Sequence, residues 1–412
     1  LKNHSSGTFM LFQPFTFANG KTAKNRFFKS AMEEHLADGS RPSQALVNLY
    51  RTWAKGGAGV LVTGNVMVSA SGRGSPHDVL VSDDSNLAVL GSWAAAAKEN
   101  QTLAIMQINH AGKQSPKTVN RTPLAPSAVP LVGMDGFINP PRALRHAEIA
   151  GLITDFVRTA QIAEQAGFDG VQIHAAHGYL ISQFLSPHHN RRDDEYGGSL
   201  ENRMRFLLAV YQGIRAAVSP EFLVGVKLNS ADFQKGGFDE TESVQVVKTL
   251  SDLGIDFIEI SGGNYESPAM LANKDSSKKR EAFFLDYAKK ARAVSRVPLI
   301  ITGGFRSQAA MTAALDSGNL DFVGIARPFA LIPDLPKQMA NGSYQTLATD
   351  RIKTGIAAID HKIGSVLEMN WYMTQMQLIS QGRQPNPKLS AWRVLAKTLW
   401  DNGKAGLSTG RS

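Results

Sequence analysis

Asp169–Arg203 reads DGVQIHAAHGYLISQFLSPHHNRRDDEYGGSLENR, and this stretch decides the fold. Val171-Gln172-Ile173 is the centre of a short apolar run of the kind that forms a strand buried on both faces. It ends in His174, then His177, then Tyr179, so three hydrogen-bond donors that can also carry protons fall within six residues. The C-terminal end of a strand is where a (β/α)8 barrel keeps its chemistry.

The segment belongs to a repeat. AGFDGVQIHA (166–175), LGIDFIEISG (253–262) and SGNLDFVGIAR (317–327) each pass from a helix end through Gly and Asp into an apolar strand. GGAGVLVTG (56–64) is a fourth version without the Asp. The glycine suits a left-handed C-cap, and the Asp is predicted to cap the turn into the strand. Further strands are predicted at 26–32, 103–109, 222–229 and 298–302, which brings the number to eight. Between them, Ile149, Leu152, Ile153, Phe156, Ala160 and Ala163 form one helical stripe over 146–166. Leu207, Val210, Tyr211, Ile214 and Val218 form another over 199–218, with Ser199 as N-cap and Glu201 in the first turn. This alternation predicts an α/β fold, a (β/α)8 TIM barrel, with its core at about 20–340. The Pro/Gly/Ser-rich residues 111–145 read as a loop or small hairpin excursion after the third strand. Residues 341–412 read as a C-terminal helical extension. Its helix, expected at 363–382, is expected to pack on the barrel or a partner subunit rather than to bind a cofactor. No linker interrupts the chain, so 1–412 reads as one domain.

With 412 residues, 43% hydrophobic and 19% charged, the composition is that of a globular protein without a membrane span. The polar start LKNHSSGTF does not read as a secretory signal. The absence of cysteine excludes disulfides, thiolate metal sites, iron–sulfur clusters and Cys nucleophiles, and it is compatible with the cytoplasm. The net charge of +9 is spread along the chain without a basic–aromatic stripe. It therefore reads as a basic surface and not as a nucleic-acid site.

The predicted strand ends are polar beyond what a core requires. They carry Ser30-Ala31-Met32-Glu33, Gly64-Asn65, Gln107 and His110, His174 and His177, Lys227 and Asn229, Ser261, Thr302-Gly303-Gly304, and Ala326-Arg327. Singly, each reads as structural or solvated. Together they would line one mouth, which is a site hypothesis. The Gly303-Gly304 and Ala326-Arg327 turns follow the seventh and eighth strands, where barrels hold phosphate. His174 and His177 are the obvious metal candidates, but no third ligand stands out near them, so no metal is expected.

At this point a resemblance becomes specific. HAAHGYLISQFLSPHHNRRDDEYGGSLENR (174–203) closely resembles the signature of the Old Yellow Enzyme family, the FMN-dependent ene-reductases. NRFFKSAM (25–32), GGAGVLVTG (56–64), QINHAGKQS (107–115), LAPSAVP (124–130), TGGF (302–305) and VGIARPF (323–329) fall in the family's order, so the likeness covers roughly 10–340. It implies FMN held at the barrel mouth: Ala31 and Met32 by backbone, room at Gly64, Gln107 on the pyrimidine edge, and Lys227 near the N1/C2 carbonyl region. Gly303, Gly304, Ala326 and Arg327 would hold the phosphate. His174 and His177 would point donors at a substrate carbonyl oxygen, with His174 also touching the flavin, and Tyr179 would be the proton donor.

The implied reaction is ping-pong reduction of an activated C=C bond in a small molecule such as an enone or nitroalkene. NADPH or NADH is the reductant. Three residues depart from the family's pattern. Glu33 stands where many relatives have Thr or Cys beside the flavin, Lys227 replaces Arg, and Ala326 replaces Gly. The larger relatives that reduce dienoyl-CoA or oxidise amines add an iron–sulfur cluster, for which this chain has no thiolates. Three other readings stay open: a relative specialised for nitro or nitrate-ester reduction, demethylation or isomerisation; a flavin-free barrel lyase or aldolase using Lys227; and a flavin binder without turnover. A homo-oligomer is compatible with all of them.

Overall fold

Eight parallel strands close on themselves. They are β1 (Phe27–Lys29), β2 (Val60–Val62), β3 (Leu103–Asn109), β4 (Gly170–Ala175), β5 (Leu223–Asn229), β6 (Phe257–Ser261), β7 (Leu299–Thr302) and β8 (Phe322–Ile325). Each pairs with the next, and β8 returns to β1. This computed structural model describes residues 10–134, 136–264, 266, 284–347 and 352–408; the polar start at 1–9 lies outside them. The helices are α1 (Gln44–Gly56), α2 (Leu87–Ala97), α3 (His146–Gln165), α4 (Leu180–Leu185), α5 (Leu200–Ala217), α6 (Glu240–Asp252), α7 (Leu285–Val294) and α8 (Gln308–Asp316). After them come α9 (Arg327–Leu331), α10 (Leu335–Ala340), α11 (Ala357–Ser380) and α12 (Ala391–Ser408). The architecture is the (β/α)8 barrel. Ser199 caps α5 by accepting from Asn202 N, and Ile149, Leu152, Phe156, Ala160 and Ala163 of α3 are buried.

The repeat has a mechanical reason. Gly57, Gly167, Gly254 and Gly318 all take left-handed φ, between 70° and 103°, at the ends of their helices. The aspartates do not cap their own turns as predicted; each accepts a backbone N–H from the neighbouring strand. Asp169 Oδ2 takes Ala104 N (2.9 Å), Asp256 Oδ2 takes Val224 N (2.7 Å) and Asp321 Oδ2 takes Leu299 N (2.9 Å). Each thus satisfies a donor at the open start of the strand beside it, where the ladder has not begun. In the version without Asp, the space is taken by Asn25: a Cβ on Gly59 would lie 2.4 Å from its carbonyl oxygen.

The lumen has two storeys. Below, Phe28, Val60, Ile105, Leu223, Phe257, Ile300 and Phe322 are packed and buried. A hairpin of Phe15–Thr16 with Thr22–Ala23, which the sequence reading did not foresee, closes the floor with Phe17 stacked on Phe322 at 5.6 Å. Gly225 of β5 leaves room for the Phe257 ring in this floor, since a Cβ there would meet it at 2.2 Å. Two residues beyond Phe28, Ile105, Phe257 and Ile300 stand the polar Ser30, Gln107, Glu259 and Thr302.

The excursion after β3 takes the loop form. Its two short strands, Leu124–Ala125 and Arg142–Ala143, run parallel and so cannot be a hairpin. The terminal helix α11 starts at Ala357, earlier than expected, because Asp360 folds back to accept Thr354 N (2.8 Å) and Gly355 N (3.2 Å). Met373, Met376 and Ile379 of α11 join the main core, so this helix packs on the barrel. Among the described residues no helix is long and apolar enough to cross a membrane.

Candidate active site

The upper storey is a polar belt crossing the barrel. Gln107 Nε2 donates to Gln172 Oε1 (2.7 Å), and Gln172 Nε2 donates to Glu259 Oε2 (2.6 Å). Glu259 Oε1 receives Lys227 Nζ (3.0 Å) and Thr302 Oγ1 (2.7 Å), and Thr302 is 2.8 Å from Ser30 Oγ. Five consecutive strands and the end of β1 each contribute one side chain to it. Burial pushes the Glu259 carboxyl up, but the Lys227 charge and these hydrogen bonds outweigh it and hold the group below its ordinary range. Sequence reading found Gln107 and Lys227 but missed Gln172 and Glu259. The available signal was one acid at an inward position of the apolar run FIEIS.

Above the belt the chain reverses sharply after β4. His177 has φ 60° and Gly178 φ 75°. His177 is a non-glycine in the left-handed region, which is uncommon; Asn229 Oδ1 holds it by accepting His177 N (3.1 Å). The reversal brings three rings together, His174 to His177 at 5.2 Å and His174 to Tyr179 at 4.8 Å, both edge-on. Ala176 N donates to His174 Nδ1 (3.3 Å), so the ring proton of His174 sits on Nε2. His177 Nε2 lies 2.8 Å from Ser261 Oγ. Burial, reinforced by the Lys227 charge, pushes both histidines well below their ordinary pKa, so both are neutral.

The Tyr179 hydroxyl donates to Glu33 Oε1 (2.8 Å), and Asn65 Nδ2 donates to the same oxygen (3.1 Å). Glu33 Oε2 lies 3.5 Å from His35 Nε2. Glu33 therefore points inward, to the tyrosine. Burial would raise its carboxyl, but His35, Tyr179 and Asn65 together bring it below the ordinary value. His35 was not singled out in the sequence because nothing there places it against Glu33.

The remaining predicted residues take these places. Ala31 and Met32 follow β1 and are half-buried. A Cβ on Gly64 would lie 2.0 Å from Glu34 Oε2 and 2.4 Å from Met32 O, so a protein contact already requires this glycine. Its N–H donates to Glu34 Oε1 (3.0 Å), beside the wholly buried Lys29, which burial lowers to about 8. Gly304 has φ 82°, and Gly303 precedes it after β7. Ala326 and Arg327 follow β8, and Arg327 Nη1 pairs with Glu368 Oε1 of α11 (3.1 Å). His174 and His177 join no group of three metal ligands among the described residues. His188, His189 and Glu266 do converge, but Lys113 Nζ, itself a cation, sits 2.8 Å from His189 Nδ1.

The comparisons agree with this geometry. The profile of the NADH:flavin oxidoreductase / NADH oxidase family matches residues 10–346. The chain is 40% identical over 355 residues to the NADH-dependent flavin oxidoreductase iliE of Hypocrea jecorina, covering 79% of this chain and 87% of that protein. It is 39% identical over 354 residues to its namesake from Neonectria sp., but spans only 46% of that longer protein. The solved old yellow enzyme homologue from Zymomonas mobilis superposes with a TM-score of 0.71 at 30% identity, covering 82% of this chain and 94% of that one. This chain belongs to the NADH:flavin oxidoreductase / NADH oxidase family, the Old Yellow Enzyme family of flavin-dependent oxidoreductases.

Proposed function

We propose that the protein uses FMN and NADH or NADPH to reduce activated C=C bonds of α,β-unsaturated carbonyl or nitro compounds. The observation that carries this reading is the convergence of His174, His177 and Tyr179 at the end of β4, with both histidines neutral. Neutral imidazoles are N–H donors that can hold a carbonyl or nitro oxygen as negative charge builds on it. Tyr179, edge-on to His174, would protonate the α-carbon as a general acid.

The residues present fit FMN. Buried amides at the strand ends have unused hydrogen-bonding capacity, namely Asn65 Oδ1 and both polar atoms of Asn109. Such orphaned groups call for a partner. Lys227 would offer a cation, Gln107 an amide, and the Gly303-Gly304 backbone with Arg327 a phosphate cradle. When bound, FMN accepts hydride from the nicotinamide and delivers it to the substrate's β-carbon. His174 and His177 orient the acceptor oxygen, and the closed, side-chain-filled floor keeps water from entering from below. Ping-pong kinetics follow if both substrates use this one mouth. An aldolase would need a free Lys227 amine, whereas Nζ is engaged by Glu259 at 3.0 Å. The cysteine-free chain and its nicotinamide reductant suit a cytoplasmic setting.

The test is a panel of enones, nitroalkenes and nitrate esters, run with both nicotinamides. Turnover of enones or nitroalkenes is expected. Turnover of nitrate esters alone would favour a specialised relative, and reoxidation by oxygen alone would contradict the reading.

A further inference from the structure

Resting on the ene-reductase reading, we propose that Glu33 restocks Tyr179 with its proton, passing on one taken from His35. Tyr179 is only 5% exposed. Once its proton has gone to the substrate α-carbon, bulk water is not at hand to replace it. The phenolate left behind would face a carboxylate 2.8 Å away, a like-charge pair that burial makes costly. Glu33 is built to resolve this, because its two oxygens serve two neighbours. Oε1 meets Tyr179 and Asn65, and Oε2 meets His35.

The transfers balance. The Tyr179 O–H bond breaks as the α-carbon C–H bond forms. The His35 Nε2–H bond breaks as an O–H bond forms on Glu33 Oε2; the carboxyl then turns this O–H to the Tyr179 oxygen, where the Glu33 O–H bond breaks and the Tyr179 O–H bond re-forms. His35 Nε2 itself is buried, while a quarter of the side chain meets solvent, so the ring turns to recover its proton from water. Glu33, His35, His77 and Asp78 line one cavity beside the mouth.

The charges around His35 keep the relay loaded. Glu33 faces it directly, Asp78 and Glu34 add negative charge, and His77 packs with ring centroids 6.2 Å apart. Lys29 is turned away, toward Glu34, at 3.8 Å. Asp78 itself is raised to about 6 by burial and by Glu33. Burial alone would lower His35, but Glu33 and these acids raise it above its ordinary value. The relay is therefore full below that raised pKa and empties as pH rises through it.

The experiment compares wild type with Glu33→Gln, which keeps an acceptor for Tyr179 but carries no transferable proton. Steady-state turnover of NADH and 2-cyclohexen-1-one, in which Tyr179 must be reloaded in every cycle, is followed across pH. We expect Glu33→Gln to slow it by ~10-fold or more and to lose the alkaline fall, while a single reoxidation of pre-reduced enzyme, for which Tyr179 starts loaded, is slowed less. A wild-type rate and profile would overturn the relay. Carbon-13 tyrosine NMR of the holoenzyme, with Tyr179→Phe to assign the signal, gives a readout independent of any alkene. The Tyr179 hydroxyl should ionise at lower pH in Glu33→Gln, and an unchanged titration would overturn the relay. If wild type reduces no alkene, the functional reading fails, while the titration still decides whether Glu33 governs that proton.

Discussion

Tyr179 donates its hydroxyl hydrogen bond to Glu33 Oε1, 2.8 Å away. In the proposed reaction the acid–base chemistry would depend on this pair, contributed by the ends of β1 and β4. Tyr179→Phe should slow alkene reduction by ~100-fold or more, the usual worth of a general acid. Stopped-flow measurement of the two half-reactions checks this: flavin reduction by nicotinamide should be nearly untouched. Equal losses in both would count against a proton-donor role.

Replacing His174 and His177 together by Ala should weaken binding of a phenol, whose oxygen mimics the enolate. Hydrogen bonds to a charged oxygen are worth about 1.5–3 kcal/mol each. Because burial holds both imidazoles well below 6.5, wild-type phenol affinity should show no histidine titration near that pH. Spectral titration of the flavin with phenol measures both effects.

Much of this was legible in the sequence. The eight strands announce themselves because each is buried on both faces and reads as an apolar run, and the helix ends because glycine alone takes the cap cheaply. His174, His177 and Tyr179 were legible because one strand and one turn carry all three. What was not legible depends on register between distant strands. Glu259 meets Lys227 because β5 and β6 pair the two residues directly, and it reaches Gln172 across the lumen from a position two residues further along the ladder. The Asp repeat was seen, but its partner was not, since that partner lies on the neighbouring strand. Glu33 was seen as a departure from the family, while its direction waited on how far the chain reverses after β4.

That stitching gives a stability prediction. Asp256→Ala should leave Val224 N without its acceptor and destabilise the fold by about 1–3 kcal/mol. Chemical denaturation measures the loss; flavin content and half-reaction rates at low temperature should be unchanged.

His110 supplies a pH dependence. Its Nδ1 accepts Gly112 N (3.0 Å), and burial lowers it from 6.5 to about 3. The unfolded chain thus binds this proton first. The stability His110 contributes is full above pH 6.5 and is lost as pH falls toward 3. Denaturation midpoints measured between those limits should fall on acidification, and less steeply in His110→Gln.

Arg327 is shared between the proposed phosphate cradle and Glu368 of α11. Exposed pairs of this kind are worth about 0.2–1 kcal/mol. Glu368→Gln should accordingly tighten FMN binding by up to a few-fold, while Arg327→Ala should weaken it. Fluorescence titration of apoprotein with FMN reads both.

The central claim is tested most directly by one anaerobic stopped-flow experiment on the FMN-loaded protein. NADH or NADPH should bleach the flavin band, and 2-cyclohexen-1-one, mixed in afterwards, should restore it with one cyclohexanone formed per flavin. A protein that takes up no FMN, or a bleached flavin that no activated alkene reoxidises, would contradict the account.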